Sequence, residues 1–333
     1  MELSLRKESE YAYGFGAVSI LGTKLITRDR FERMAEAKTP EDIFKMLAET
    51  EYRDLIEEFP GMENLELLLN AELKRTYKLV AKMVPEKKYI DIFYLEYDFH
   101  NLKLLIKSKF HAGKEENALK NFIDLGTVGK KKFSDLIKAD ISQIVVQLPE
   151  YADAVLKVQE EYARTKDARV IDAFFDKALF DILAQNAAGN ELILEIVNIY
   201  ADIANLKTYI RAKELNREKE FIVFIPYGKI PTAVYGKGFE DVIKEFSRWY
   251  EKIILPAVDY HERTRSWGLL EKLADEFVIE KLKSKKFQIG IEPVIGYLIA
   301  KKMEVKMLRA IIISKFGNIP AEHIRGLWRL QYA

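Results

Sequence analysis

Asp98-Phe99-His100-Asn101-Leu102-Lys103-Leu104-Leu105-Ile106-Lys107-Ser108-Lys109 returns further along the chain as Asp202-Ile203-Ala204-Asn205-Leu206-Lys207-Thr208-Tyr209-Ile210-Arg211-Ala212-Lys213, with six identities in twelve columns. Chance would supply about one, so an internal repeat is present. Both copies carry an apolar stripe at four- and three-residue spacing, Leu95/Phe99/Leu102/Ile106 and Ile199/Ile203/Leu206/Ile210, which is the face of an α-helix. A weaker third copy lies 99 residues beyond the second, where Glu304-Val305-Lys306 stands in place of Asn205-Leu206-Lys207. There Lys302 and Arg309 replace apolar residues, so the third unit packs or binds differently.

Other landmarks keep the same step. Tyr52, Tyr151 and Tyr250 are each 99 residues apart, and Gly126-Thr127-Val128 precedes Gly228-Lys229-Ile230 by 102. Three helical units of about 100 residues follow, spanning 1–110, 111–218 and 219–333.

Helical signals fill the rest of the chain. Thr39-Pro40-Glu41-Asp42 sets a capping hydroxyl before a proline at the first helical position, with two carboxylates near the positive end of the dipole. A second helix begins at Leu65 and runs through Leu68, Leu69, Leu73 and Tyr77 to Val80, and Pro85 stops it. Similar periodicity covers Val155–Gln185, Glu191–Leu215, Phe239–Leu255, Leu269–Leu282 and Glu292–Phe316, while strand-like alternation is almost absent. The apolar piece Phe221–Pro226 ends in a turn at Tyr227-Gly228 and reads as a connector. The fold class is all-α.

The 333 residues include 49% hydrophobic and 32% charged side chains, the balance of a folded globular chain. Basic and acidic residues number 53 and 52, so no global positive field favours nucleic acid. The charge is segregated instead: residues 41–72 hold ten acidic and two basic side chains, and residues 281–333 hold eleven basic and three acidic. With no cysteine, disulfides, thiolate metal sites and cysteine nucleophiles are excluded, and a reducing compartment is expected. No apolar run approaches the roughly 20 residues of a membrane span, since Glu292, Lys301 and Lys302 bracket the best candidate. Arg6 and Lys7 before the apolar Tyr11–Gly22 imitate a signal peptide, but Glu8 and Glu10 intrude and no cleavage site follows.

Motifs of chemistry fail one by one. Gly14 and Gly16 lack the strand and third glycine of a dinucleotide loop and suit helix packing better. None of Gly129-Lys130, Gly228-Lys229 and Gly236-Lys237 completes a P-loop. His261-Glu262 lacks the second histidine of a zinc-protease helix, and His100, His111, His261 and His323 have no metal spacing. Asp172, Asp176 and Asp181 form no DDxxD motif and read as a solvated helix face beside Lys177. A serine-hydrolase elbow is missing too. No catalytic residue, cofactor or metal site is expected.

The recurring helix positions are Asp98, Asn101 and Lys103, then Asp202, Asn205 and Lys207, then Glu304 and Lys306. Short polar side chains one turn apart satisfy buried backbone groups more readily than they hold a ligand. Lys281, Lys283, Lys285 and Lys286 crowd one short segment and would repel one another without an external partner, so they are the expected partner-binding residues. The rival arrangement pairs the basic segment with the acidic one across an internal seam.

The stretches Gly290-Ile291-Glu292-Pro293-Val294-Ile295-Gly296-Tyr297-Leu298-Ile299-Ala300-Lys301, Glu304-Val305-Lys306-Met307-Leu308-Arg309-Ala310-Ile311 and Ile319-Pro320-Ala321-Glu322-His323-Ile324-Arg325 close the chain. With Tyr11-Ala12-Tyr13, Ala48-Glu49-Thr50-Glu51-Tyr52 and Tyr97–Lys103, they make a chain that resembles the C subunits of A/V-type ATPases and the d subunit of the vacuolar enzyme. Where that family commonly has an acidic residue after the Ala-Lys pair, this chain has Lys302. The resemblance implies three similar helical domains in a pseudo-three-fold funnel. It also implies a non-catalytic rotor adaptor on the cytoplasmic face of the membrane. Its partners would be the D and F subunits of the central shaft and the membrane proteolipid ring, with no nucleic acid. An all-helical lyase or isomerase, or an unrelated helical scaffold, are the alternatives.

Overall fold

The computed structural model describes residues 2–111, 113–215, 222–326, 328 and 332, without the side chains of 2–9, 323, 324 and 326. Among the described residues there is helix, turn and loop but no strand. The chain divides into two compact units, one of residues 1–90 and 246–333, the other of residues 91–245.

The first unit opens with α1 (Glu2–Gly22), α2 (Arg28–Glu36), α3 (Pro40–Leu47), α4 (Arg53–Glu58) and α5 (Leu65–Val80). α3 starts as the sequence predicts: Thr39 is its N-cap, the Thr39 Oγ1 accepts the Asp42 N–H at 3.2 Å, and Pro40 occupies the first turn. The second unit holds most of α6 (Lys88–Phe110), then α7 (Glu115–Lys120), α8 (Lys130–Lys138), α9 (Ile141–Gln147), α10 (Ala152–Thr165), α11 (Arg169–Ala187) and α12 (Glu191–Glu214). The chain returns to the first unit within α13 (Phe239–Thr264), followed by α14 (Gly268–Lys283), α15 (Glu292–Phe316) and α16 (Ala321–Gly326).

α15 is the core of the first unit. It buries residues around its whole circumference, among them Val294, Leu298, Lys301, Glu304, Leu308 and Ile312, and packs against α5, α1 and α14. A helix apolar on all sides is a buried helix, and each enclosed Leu or Ile contributes about 1.5–3 kcal/mol. Gly14 lets α1 approach the backbone of Met83, where a Cβ would meet the carbonyl, whereas Gly16 faces open space. Only one of the two glycines therefore serves helix packing. In the second unit α11 lies between α10 and α12.

Two periodic segments differ from their predicted outline. Val155–Gln185 is not one helix, because Lys166 takes a left-handed conformation (φ 56°) and separates α10 from α11. Thr165 and Asp167 stabilise that break, with Thr165 Oγ1 accepting the Asp167 N–H and Asp167 Oδ1 accepting the Arg169 N–H. Phe239–Leu255 runs on to Thr264 through Pro256, and Tyr250 interrupts its helical geometry. Residues 222–225 have no regular structure, in keeping with a connector, and Phe221 lies outside the described residues.

Candidate functional site

The repeated polar positions build one device in successive parts of the chain. In α6, Asp98 Oδ1 accepts the backbone N–H of Thr127 at 2.8 Å and of Val128 at 3.1 Å, while Oδ2 accepts the Tyr151 hydroxyl at 3.0 Å. Asn101 pairs with both backbone groups of Ile123, at 3.0 Å through Oδ1 and 2.9 Å through Nδ2. In α12, Asp202 accepts the N–H groups of Lys229 and Ile230 at 2.8 and 3.2 Å, and Asn205 holds Ile225 at both groups at 2.8 Å. Asp98, Asn101, Asp202 and Asn205 are all buried. Helix is thus clasped to loop where no sheet supplies backbone partners.

The glycines that recur with the aspartates belong to the same device. A Cβ at Gly126 would collide with Asp98 Oδ1, and one at Gly228 would collide with Asp202 Oδ1. Only the absence of a side chain lets the loop settle on the carboxylate.

In α15 the clasp is rewritten with charge. Lys301 takes the aspartate's place and Glu304 the asparagine's. Glu304 Oε2 accepts the Ile26 N–H at 2.6 Å, so Ile26 plays the part of Ile123 and Ile225, and Oε1 accepts the Tyr52 hydroxyl at 2.9 Å. Lys301 Nζ bridges Glu304 Oε1 at 2.6 Å and Glu72 Oε1 at 3.1 Å and lies 5.3 Å from the centre of the Tyr52 ring. The three charged groups are almost sealed from water, Lys301 and Glu72 at 2% exposure and Glu304 at 4%. Arg75 Nη2 lies 2.7 Å from Glu72 Oε2 but out of hydrogen-bond alignment.

Burial raises the Glu72 carboxyl above its ordinary range, against the pull of Lys301 and Arg75. For Lys301 burial works to lower the pKa, but Glu304 and then Glu72 outweigh it and hold the ammonium protonated. Burial, reinforced by Glu304, pushes the Tyr52 hydroxyl well up, so it remains a donor. The equally spaced tyrosines sit at equivalent breaks: Tyr52 precedes α4, Tyr151 precedes α10, and Tyr250 breaks α13.

The repeated lysines separate. Lys103 reaches Asp176 at 2.5 Å and Lys306 reaches Asp275 at 3.0 Å, while Lys207 is exposed. Asp172 and Asp181 likewise pair, with Lys107 and Lys177, so this aspartate face is neutralised by lysines and not merely solvated. His100 Nε2 lies 3.3 Å from the Asn121 carbonyl, and His261 stacks on Trp267; the His323 side chain lies outside the described residues. No group of metal-ligating side chains occurs among the described residues.

The charged segments meet in part. Glu66 pairs with Arg309 at 2.8 Å and Glu72 with Lys301, which joins the acidic stretch to the basic one inside the first unit. Lys281, Lys283, Lys285 and Lys286 stand apart from that seam on the end of α14 and the turn after it, all part-exposed. Lys281 lies over the Phe277 ring at 5.0 Å, and Lys286 over Phe287 at 5.9 Å and Tyr332 at 5.7 Å. Partial burial, and then the Lys286 charge, lower the Lys283 pKa. Sequence reasoning missed the Ile26–Glu304 bond and the buried Glu72; the 97-residue step from Ile26 to Ile123 was the available signal for the first.

Fold and clasp together define an all-helical protein with an internal repeat, whose buried polar side chains lock helices to loops. The family model described as ATP synthase (C/AC39) subunit matches residues 16–327. The chain belongs to that family, one of non-catalytic subunits. It is similar to the C subunit of the A-type ATP synthase of Methanocaldococcus jannaschii, 26% identical over 95% of this chain and 86% of that protein. Similarity extends to the C subunit of the V-type sodium ATPase of Enterococcus hirae, 24% identical over 93% and 95% of the two chains. The corresponding A-type ATP synthase chain of Thermococcus kodakarensis is 25% identical over 92% and 87%.

Proposed function

We propose that this chain is the central-rotor adaptor of an A/V-type ATPase, coupling the central shaft, built of the D and F subunits, to the membrane proteolipid ring. The family match over residues 16–327 carries this reading. No described helix is long and apolar enough to cross a membrane, which suits a peripheral position on the cytoplasmic face. An adaptor that transmits torque must resist deformation. Helices with internally satisfied backbones and loops clasped by buried side chains supply that stiffness.

Three similar helical units, divided near residues 110 and 218 and arranged as a pseudo-three-fold funnel, are part of the proposal. The second boundary lies outside the described residues. The clasp's recurrence in α6, α12 and α15 supports it, and so does the use of Ile26 and Tyr52, from the start of the chain, to complete the last copy. Reconstitution tests the function. A complex depleted of this chain should hydrolyse ATP without driving ion uptake, and adding the chain back should restore pumping. Full pumping without the chain would reject the adaptor role.

A further inference from the structure

The turn between α14 and α15 combines features that the clasps and the internal seam leave unused. Residues 281–290 contain four lysines, Lys281, Lys283, Lys285 and Lys286, and no acidic residue. Of the flanking carboxylates, Glu280 pairs with Lys252 and acts on Lys283 as well, and Glu292 lies against Gly290 at the end of the turn. At the tip stand two apolar side chains, Phe287 at 84% exposure and Ile289 at 48%.

The tip is held and not trailing. The N–H groups of Lys285, Lys286 and Gln288 donate to the carbonyls of Leu282, Lys283 and Lys285 at 3.0, 3.2 and 3.0 Å. Successive turn bonds therefore fix an exposed aromatic ring among like charges. Neither feature is favourable in water: the ring wastes apolar surface, and Lys286 repels Lys283.

We propose that this turn is a membrane-surface anchor, with Phe287 and Ile289 entering the interfacial layer of an anionic bilayer while the four lysines engage lipid phosphates. An aromatic ring at the headgroup level flanked by snorkelling lysines is a favourable interfacial arrangement, and anionic lipid adds attraction for each lysine. An acidic protein surface would satisfy the charges but fits the tip less well. A stable protein interface buries about 800 Å² on each side around a packed centre, and two side chains are far too few to form one. A bilayer needs no complementary pocket. The inference deepens the reading of these lysines as partner-facing, and it does not depend on assembly with the shaft.

The test is flotation of the whole chain with vesicles of phosphatidylcholine alone or mixed equally with phosphatidylglycerol, at low and high salt. Binding is expected to the anionic vesicles only and to weaken with salt. Lys285→Gln with Lys286→Gln should lower the partition by roughly tenfold or more, and Phe287→Ser should lower it several-fold. Circular dichroism of each variant reads its folding separately. In addition, Phe287→Trp should gain emission that brominated lipid chains quench, which a purely electrostatic contact would not give. Equal binding to both vesicle types, no binding at low salt, or variants indistinguishable from the parent would overturn the anchor. So would unchanged flotation of a lysine variant that no longer joins the rest of the complex, an outcome that assigns the turn to an acidic protein. Failure of the parent chain to restore pumping would reject the adaptor reading while leaving the vesicle result standing.

Discussion

One hydrogen atom in place of a methyl group at Gly126 and Gly228 decides whether a loop can rest on a buried carboxylate. Gly126→Ala should therefore lower stability by about 1–3 kcal/mol or more in urea unfolding, since the loop must lift from Asp98. Gly16→Ala is the contrasting case. Its Cβ would meet nothing in an exposed helix interior, so a gain of about 0.5–1 kcal/mol is expected. Tyr297 supplies a pH prediction. Burial raises its hydroxyl from the ordinary 10.0 to about 12. Across that window the native state keeps a proton that the unfolded chain releases, so stability present below the lower value is lost as pH rises through the upper one. Tyr297→Phe should match the parent at neutral pH and surpass it by about 2–3 kcal/mol at the alkaline end of the window, as read by denaturant midpoints.

At the scale of elements, α15 does what α6 and α12 do but with an ion pair. Asp98 and Asp202 accept backbone N–H groups, whereas Glu72 and Glu304 share Lys301. Lys301→Met would leave two carboxylates facing each other in a dry interior, and a loss of about 3–5 kcal/mol is expected. Equal chemical-denaturation midpoints for Lys301→Met and the parent would show that the pair is not needed to hold α15 against α5. The helix breaks at Tyr52, Tyr151 and Tyr250 follow the same logic. Each of the three rings is buried, and for Tyr52 and Tyr151 the hydroxyl closes a clasp.

Across the whole molecule, the segregated charge divides between an internal seam and a basic segment apart from it. Part of it is internal, in the Glu66–Arg309 and Glu72–Lys301 pairs; the first is exposed and contributes only about 0–1 kcal/mol. The lysines of 281–286 remain outside that seam. The buried polar side chains of the clasps fix loops to helices. Titration of the isolated chain with Mg-ATP in a calorimeter should give no saturable heat. A micromolar stoichiometric site would contradict the non-catalytic reading.

The helical class was legible in the sequence because amphipathic spacing is local: the stripes at Leu95–Ile106 and Ile199–Ile210, and the Thr39-Pro40 start, need no knowledge of distant residues. The repeat marked Asp98, Asn101, Asp202, Asn205 and Glu304 as special for the same reason, since identical solutions leave identical letters. Their partners were not legible. Hydrogen bonds from Thr127 to Asp98 and from Ile26 to Glu304 join residues 29 and 278 positions apart, and periodicity carries no information at such range. Nor did the letters reveal that Lys301 is buried while Lys285 and Lys286 are part-exposed, because lysine's composition and charge are the same in both settings. Only tertiary packing decides that, by setting which charges lose water and must find protein partners, and which keep water and can meet another surface.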